Sequence, residues 1–117
     1  MAYPRKAPFT DKYLHARIAD LSTAGSGYCV VPAQGNFIGW RFTPSATVTG
    51  DAAITVEING TAVSSAAQTV SAATLGTAYS QDCVPQAVQD GDIIEFITDG
   101  GSTTASIADF TVIIRED

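Results

Sequence analysis

One histidine, two cysteines and a scatter of carboxylates are the groups in this chain that could do chemistry. Proton transfer near neutral pH commonly draws on imidazole. His15 stands in "YLHAR" with no partner motif around it, and reads as an exposed or edge-strand residue. Ser22, Thr23 and Ser26 lie in "STAGSG", which lacks the spacing of a nucleophile elbow and the lysine of a phosphate loop. Asp90, Asp92 and Asp99 flank "IIEFIT" and would make a calcium site only if brought to one end, because calcium takes six to eight oxygen ligands. Asp-Gly is more commonly a turn signal, and carboxylates at turns or on wet strand faces do not form a glycosidase pair. Cys29 and Cys83 are 54 positions apart, with no second Cys or His near either, so no metal spacing exists. Free buried thiols are expected, with a cross-strand disulfide as the alternative. No catalytic, cofactor or metal site is expected, and the chain does not read as an enzyme.

The elements that hold these residues follow from composition and period. A chain of 117 residues suffices for one domain with a single core. Few charges and much Ala, Thr, Ser, Val and Gly favour strands over helices. The net charge of −6 is unevenly spread: residues 1–17 carry +3 and residues 18–117 carry −9. An acidic body repels phosphate backbones, so no nucleic-acid binding is expected of it. No apolar run approaches the roughly 20 residues that span a bilayer, and the N-terminus has no apolar signal core, so neither membrane insertion nor export is expected.

"DAAITVEINGTAV" alternates Ile54, Val56 and Ile58 with Thr55, Glu57 and Asn59, the pattern of a half-buried strand. Asn59-Gly60 then supplies a type I′ hairpin turn. The turn also accounts for the N-glycosylation acceptor that Asn59, Gly60 and Thr61 spell. "YLHARIADL" places Leu14, Ala16 and Ile18 on one face; "GYCVVP" is a short apolar strand; "NFIGWRF" sets Ile38, Trp40 and Phe42 against Phe37, Gly39 and Arg41. Short strands are expected around Ala62 to Ser64 and Gln68 to Val70, then a small-residue loop with a short helix over "SAAT" as an alternative. Asp90-Gly91 and Asp99-Gly100 bracket a strand at Ile93 to Thr98 that is apolar on both faces. The last strand aligns Ala108, Phe110, Val112 and Ile114. About eight short strands without an amphipathic helix predict an all-β, two-sheet antiparallel sandwich, jelly-roll-like, over residues 13–117.

Residues 1–12, "MAYPRKAPFTDK", carry two prolines and no period, and read as an extended basic and aromatic arm without a core of its own. Trp40 sits in an alternating strand and is expected in the core. Aromatics on an arm have no local core to enter. Tyr3, Arg5, Lys6, Phe9, Lys12 and Tyr13 are therefore the expected contacts, toward a larger partner or a sister subunit, with a groove on the protein's own body as the alternative for the aromatics.

The succession "RIADLSTAGSGYCVVPAQGNFIGWRF", "DAAITVEINGTAV" and "AVQDGDIIEFITDGGST" resembles small decoration or cement proteins of tailed bacteriophage heads. That resemblance spans about residues 17–114 and rests on strand-turn-strand fingerprints such as "VEINGTAV" and "VQDGDIIEF". It implies a jelly-roll-like sandwich, made in the host bacterial cytoplasm and assembled as a dimer or trimer. Such a protein sits on the outer capsid surface of the virion and bridges major capsid protein subunits. A tail or baseplate accessory domain and a carbohydrate-binding module are the alternative readings. The latter needs exposed aromatics on one sheet or loop end.

Overall fold

The computed structural model describes residues 10–71 and 78–116. The chain is all-β, and its described residues form nine strands: β1 (Thr10–Ile18), β2 (Gly25–Val30), β3 (Gly35–Pro44), β4 (Asp51–Ile58), β5 (Thr61–Ala62), β6 (Gln68–Ser71), β7 (Tyr79–Val88), β8 (Ile93–Thr98) and β9 (Ala108–Glu116). One sheet has the order β1-β9-β3-β7, and the other β2-β8-β4 with β5 and β6 both paired to β4. All pairings are antiparallel.

The order follows from one long fold-back. The chain reverses after β4, and each returning strand pairs with the outgoing one that preceded it: β6 with β4, β7 with β3, β8 with β2, β9 with β1. Wound so that alternate pairs fall into alternate sheets, this ribbon is a jelly roll. The strand added to the expected eight is β7, whose "YSQDCVPQAV" has no apolar alternation and contains a proline; the two short strands expected around Ala62 and Gln68 are β5 and β6, parted by a single 3-10 turn at Ser64–Ala66. The segment expected as a small-residue loop lies largely outside the described residues.

At the fold-back, Asn59 and Gly60 have φ of 50° and 84°, the two positive values of a type I′ turn, and Ile58 pairs with Thr61. Ile54 and Val56 point inward and are buried. In the last strand Ala108, Phe110, Val112 and Ile114 are all buried, as their alternation requires.

The third strand departs from its expected phase. Phe37 pairs with Ile114 and Trp40 with Val112, so three residues of β3 span two of β9. This β-bulge at Ile38 puts Phe37 and Trp40 on the same side, and Ile38 is only half-buried. Simple alternation selects Ile38 over Phe37 because a bulge leaves no mark in the period.

The sheets are clamped together by aromatic rings. Phe96 of β8 stacks on Phe110 of β9 with centroids 4.4 Å apart and an interplanar angle of 19°. Trp40 stands edge-on to both, at 5.3 Å from Phe110 and 6.2 Å from Phe96. Its indole Nε1 donates to the carbonyl of Ala66 at 2.9 Å, tying the first sheet to the 3-10 turn.

Where β1 and β2 meet at the side of the sandwich, glycine is required. A Cβ on Gly27 would lie 2.0 Å from the Arg17 carbonyl oxygen, which is inside backbone contact distance. The opposite side is closed by side chains: Ser65 Oγ accepts from the Val84 amide at 3.1 Å, and Gln68 Nε2 donates to the Ser80 carbonyl at 3.1 Å. Pro85 lies in β7, an edge strand, where a missing donor is tolerated.

Trp40→Phe keeps the ring contacts but removes the donor to Ala66, leaving a buried carbonyl unpaired. A loss of about 2–4 kcal/mol is expected, combining the unpaired group and the smaller ring. Guanidinium unfolding followed by far-UV circular dichroism measures it, and a loss below about 1 kcal/mol shows that the turn is held without the indole.

Candidate interaction surface

The edge strand β1 shows how the expected contact residues are placed. Tyr3, Arg5, Lys6 and Phe9 lie outside the described residues. Lys12 and Tyr13 lie inside β1, which begins at Thr10, so the strand takes in three residues expected of the arm. Pairing with β9 runs to Thr10↔Glu116, and charged side chains flank its end. Arg115 Nε and an Nη donate to the two Asp11 carboxylate oxygens at 2.9 and 3.2 Å, and Lys12 Nζ lies 3.9 Å from Glu116. Sequence alternation misses this because the pairing is carried by charge and not by apolar side chains.

Tyr13 points outward and is 65% exposed. Farther along β1, Arg17 donates to both Asp109 oxygens at 2.7 and 3.3 Å, and His15 Nε2 lies 3.1 Å from Asp109 Oδ1. On β3, Arg41 donates to Asp82 of β7 at 2.9 Å. Among the described residues, every lysine and arginine therefore sits on the β1-β9-β3-β7 sheet and faces a carboxylate of that sheet.

The second sheet is different in kind. Its strands carry Asp51, Glu57 and Glu95 and no cation, and the turns around β8 add Asp90, Asp92 and Asp99. Glu57 of β4 lies directly opposite Glu95 of β8, and Tyr28 of β2 opposite Glu95 from the other side. Val30 is 60% exposed and pairs with Ile93, 44% exposed, while Tyr28 is 61% exposed. Among the described residues, three of the five large exposed hydrophobic side chains thus share one outer face with a like-charged pair.

The three aspartates weighed as a cation site are not gathered. Asp92 and Asp99 stand at opposite ends of β8. Asp92 accepts from Asn59 Nδ2 at 3.0 Å and the Gln89 amide at 2.9 Å, and Asp99 accepts from the Ala53 and Gly101 amides. They cap turns. No group of three or more His, Cys, Asp or Glu able to hold a metal occurs among the described residues. A pocket of about 160 Å³ beside the β1–β2 loop, touching Ile18, Asp20, Thr23 and Ser26, is well below the about 300 Å³ of small-molecule sites.

Both cysteines are free, Cys29 buried in β2 and Cys83 half-buried in β7. Burial pushes each thiol up to about 11, with Asp82 adding to the effect at Cys83. Neither is a thiolate near neutral pH, which removes nucleophilic character from both. Trp40 is fully buried, so the lone tryptophan offers no stacking surface to a sugar.

Among the described residues, four carboxylates have lowered pKa values. The Arg115 guanidinium holds Asp11 below the ordinary 3.8, Ser22 does so for Asp20, Asn59 for Asp92, and Arg17 followed by His15 for Asp109. A carboxylate whose pKa is depressed in the folded chain stabilises it fully above the ordinary 3.8 and loses that contribution as pH falls through the lowered value. The melting temperature is therefore expected to be level across about pH 5–7 and to drop below about pH 4. Asp109→Asn makes the acid-side drop shallower, which a melting series read by circular dichroism checks. An unchanged slope shows that the pairs on β1 do not contribute.

No protein-family model matches this chain, and no curated protein does. Among solved structures, dimeric latent PorU from Porphyromonas gingivalis matches over 93% of this chain at 7% identity, with a TM-score of 0.45. The chain spans 13% of that protein's length, and a likeness of this degree carries no argument about function.

Proposed function

We propose that this protein is a structural virion component that binds the outside of a tailed-phage head as a homo-oligomer and stabilises contacts between major capsid protein subunits. The observation that carries the reading is a division of labour along the chain. A jelly roll held by aromatic packing and paired edges is followed backward, from β1, by a basic and aromatic segment. Tyr3, Arg5, Lys6 and Phe9 of that segment, with Lys12 and the exposed Tyr13 at the start of β1, are the contacts toward the capsid or a sister subunit.

The physical logic needs no chemistry. Packaged DNA presses outward on a shell, and a protein that binds only the closed arrangement of subunits stabilises it by mass action. Repetition over a symmetric shell turns weak contacts into avidity. The sandwich supplies rigidity, so binding energy is not spent on ordering the body. A tail or baseplate accessory role calls for the same features, and heads and tails separate the two in the assay below.

The assay is co-sedimentation with expanded heads stripped of their outer proteins, comparing the full chain with one lacking residues 2–9. That deletion spares β1 and its Asp11–Arg115 pair. Saturable binding by the full chain is expected, weakened at least about tenfold by the deletion. Absence of saturable binding by the full chain to heads overturns the reading, and binding to tails in the same assay replaces it.

A further inference from the structure

The outer face of the β2-β8-β4 sheet carries apolar and acidic side chains that the described part of the chain leaves exposed or half-exposed. Along it run Tyr28 and Val30 on β2, Ile93, Glu95 and the half-buried Ile97 on β8, and Glu57 on β4. Two features of this face are costly for the isolated sandwich. Exposed Tyr28, Val30 and Ile93 form one apolar strip, since Val30 pairs with Ile93 and Tyr28 stands one pleat away on the same side. Glu57 and Glu95 are directly opposed across neighbouring strands, a placement that destabilises a sheet when nothing of opposite sign lies between them.

The opposite sign is not available from the described surface. Lys12, Arg17, Arg41 and Arg115 all belong to the other sheet, and each faces Glu116, Asp109, Asp82 or Asp11 there. The two cations left in the sequence are Arg5 and Lys6. They stand between Tyr3 and Phe9, so the segment carries both chemistries that the face lacks: positive charge for the two glutamates and aromatic rings for the apolar strip. Self-pairing of two such faces about a two-fold axis is disfavoured, because it stacks four carboxylates.

We infer that the outer face of the β2-β8-β4 sheet receives residues 3–9 of a second copy of this chain. The prolines at positions 4 and 8 favour polyproline II backbone, in which every third residue returns to one side. Tyr3, Lys6 and Phe9 are spaced three apart in the sequence, the period at which that backbone form repeats. The ammonium then meets Glu57 and Glu95, and the rings flank it on Tyr28, Val30, Ile93 and Ile97. The contact is heterologous: one subunit gives its segment and offers its own face to the next. It deepens the oligomeric part of the proposed function by naming the surface that joins the copies, and it is tested on the purified chain without heads, so either reading can fail alone.

The experiment is zero-length carbodiimide cross-linking of the full chain in an equal mixture of unlabelled and isotope-labelled copies, followed by peptide mass spectrometry. Links from Lys6 to Glu57 or Glu95 in mixed-label pairs are the expected result. Tyr28→Ser, an exposed position that keeps both carboxylates, is expected to lower the mixed-label yield about tenfold. Glu57→Gln with Glu95→Gln is expected to weaken self-association about tenfold in sedimentation velocity, with a matching loss on adding salt to the native chain. Links confined to same-label pairs, links from Lys6 to other acids instead, absence of Lys6 links, or a yield unmoved by Tyr28→Ser each overturn the inference.

Discussion

The rings of Trp40, Phe96 and Phe110 are the constraint on which the arrangement turns. Two small sheets rich in Ala, Thr, Ser and Val have little apolar bulk of their own, and a sandwich needs about 10 Å of filling between its layers. Phe96 and Phe110 supply it from opposite sheets by stacking at 4.4 Å, and Trp40 wedges edge-on against both. The bulge at Ile38 exists in this context for a geometric reason. Without the extra residue Phe37 and Trp40 would face opposite ways, and one of two large rings would be left in water.

From that centre outward, the fold is a solution to edges. A jelly roll has four edge strands, each a row of free backbone groups. β1 and β2 cover one another where Gly27 admits the Arg17 backbone, and the other side is sealed by Ser65 and Gln68 against β7. Among the described residues, the side chains that these sheets present outward are sorted by sheet. Balanced ion pairs lie on one face, and uncompensated carboxylates with apolar neighbours on the other. A face of the first kind is finished in water. One of the second kind gains when something covers it.

Much of the fold was legible in the sequence, because it rests on local signals of period two and on turns. Asn59-Gly60, the Ile93 to Thr98 strand and the inward set Ala108, Phe110, Val112 and Ile114 all follow from spacing alone. Phe37 was not legible, since a bulge changes phase without changing composition. Nor was the start of β1 at Thr10, whose pairing is held by Asp11 and Lys12, residues that read as solvent-exposed in any alternation scheme. The charge asymmetry was visible along the chain as a basic beginning and an acidic remainder. Its division between two sheets depends on which strands share a layer, and only the register shows Glu57 against Glu95.

That division has a consequence for assembly. Repulsion between identical acidic faces disfavours isologous dimers through that sheet, while a segment of opposite sign carried before β1 favours head-to-tail contact. Head-to-tail contacts close into rings when the rotation permits and otherwise run on as filaments. On a capsid, where the underlying lattice fixes the rotation, closure is imposed by the shell itself. Under the proposed head-binding role, the contact that copies make in free solution is the one that the shell would repeat. In that proposed setting the lattice would hold each neighbour in place, and its effective concentration would add to the contact between copies.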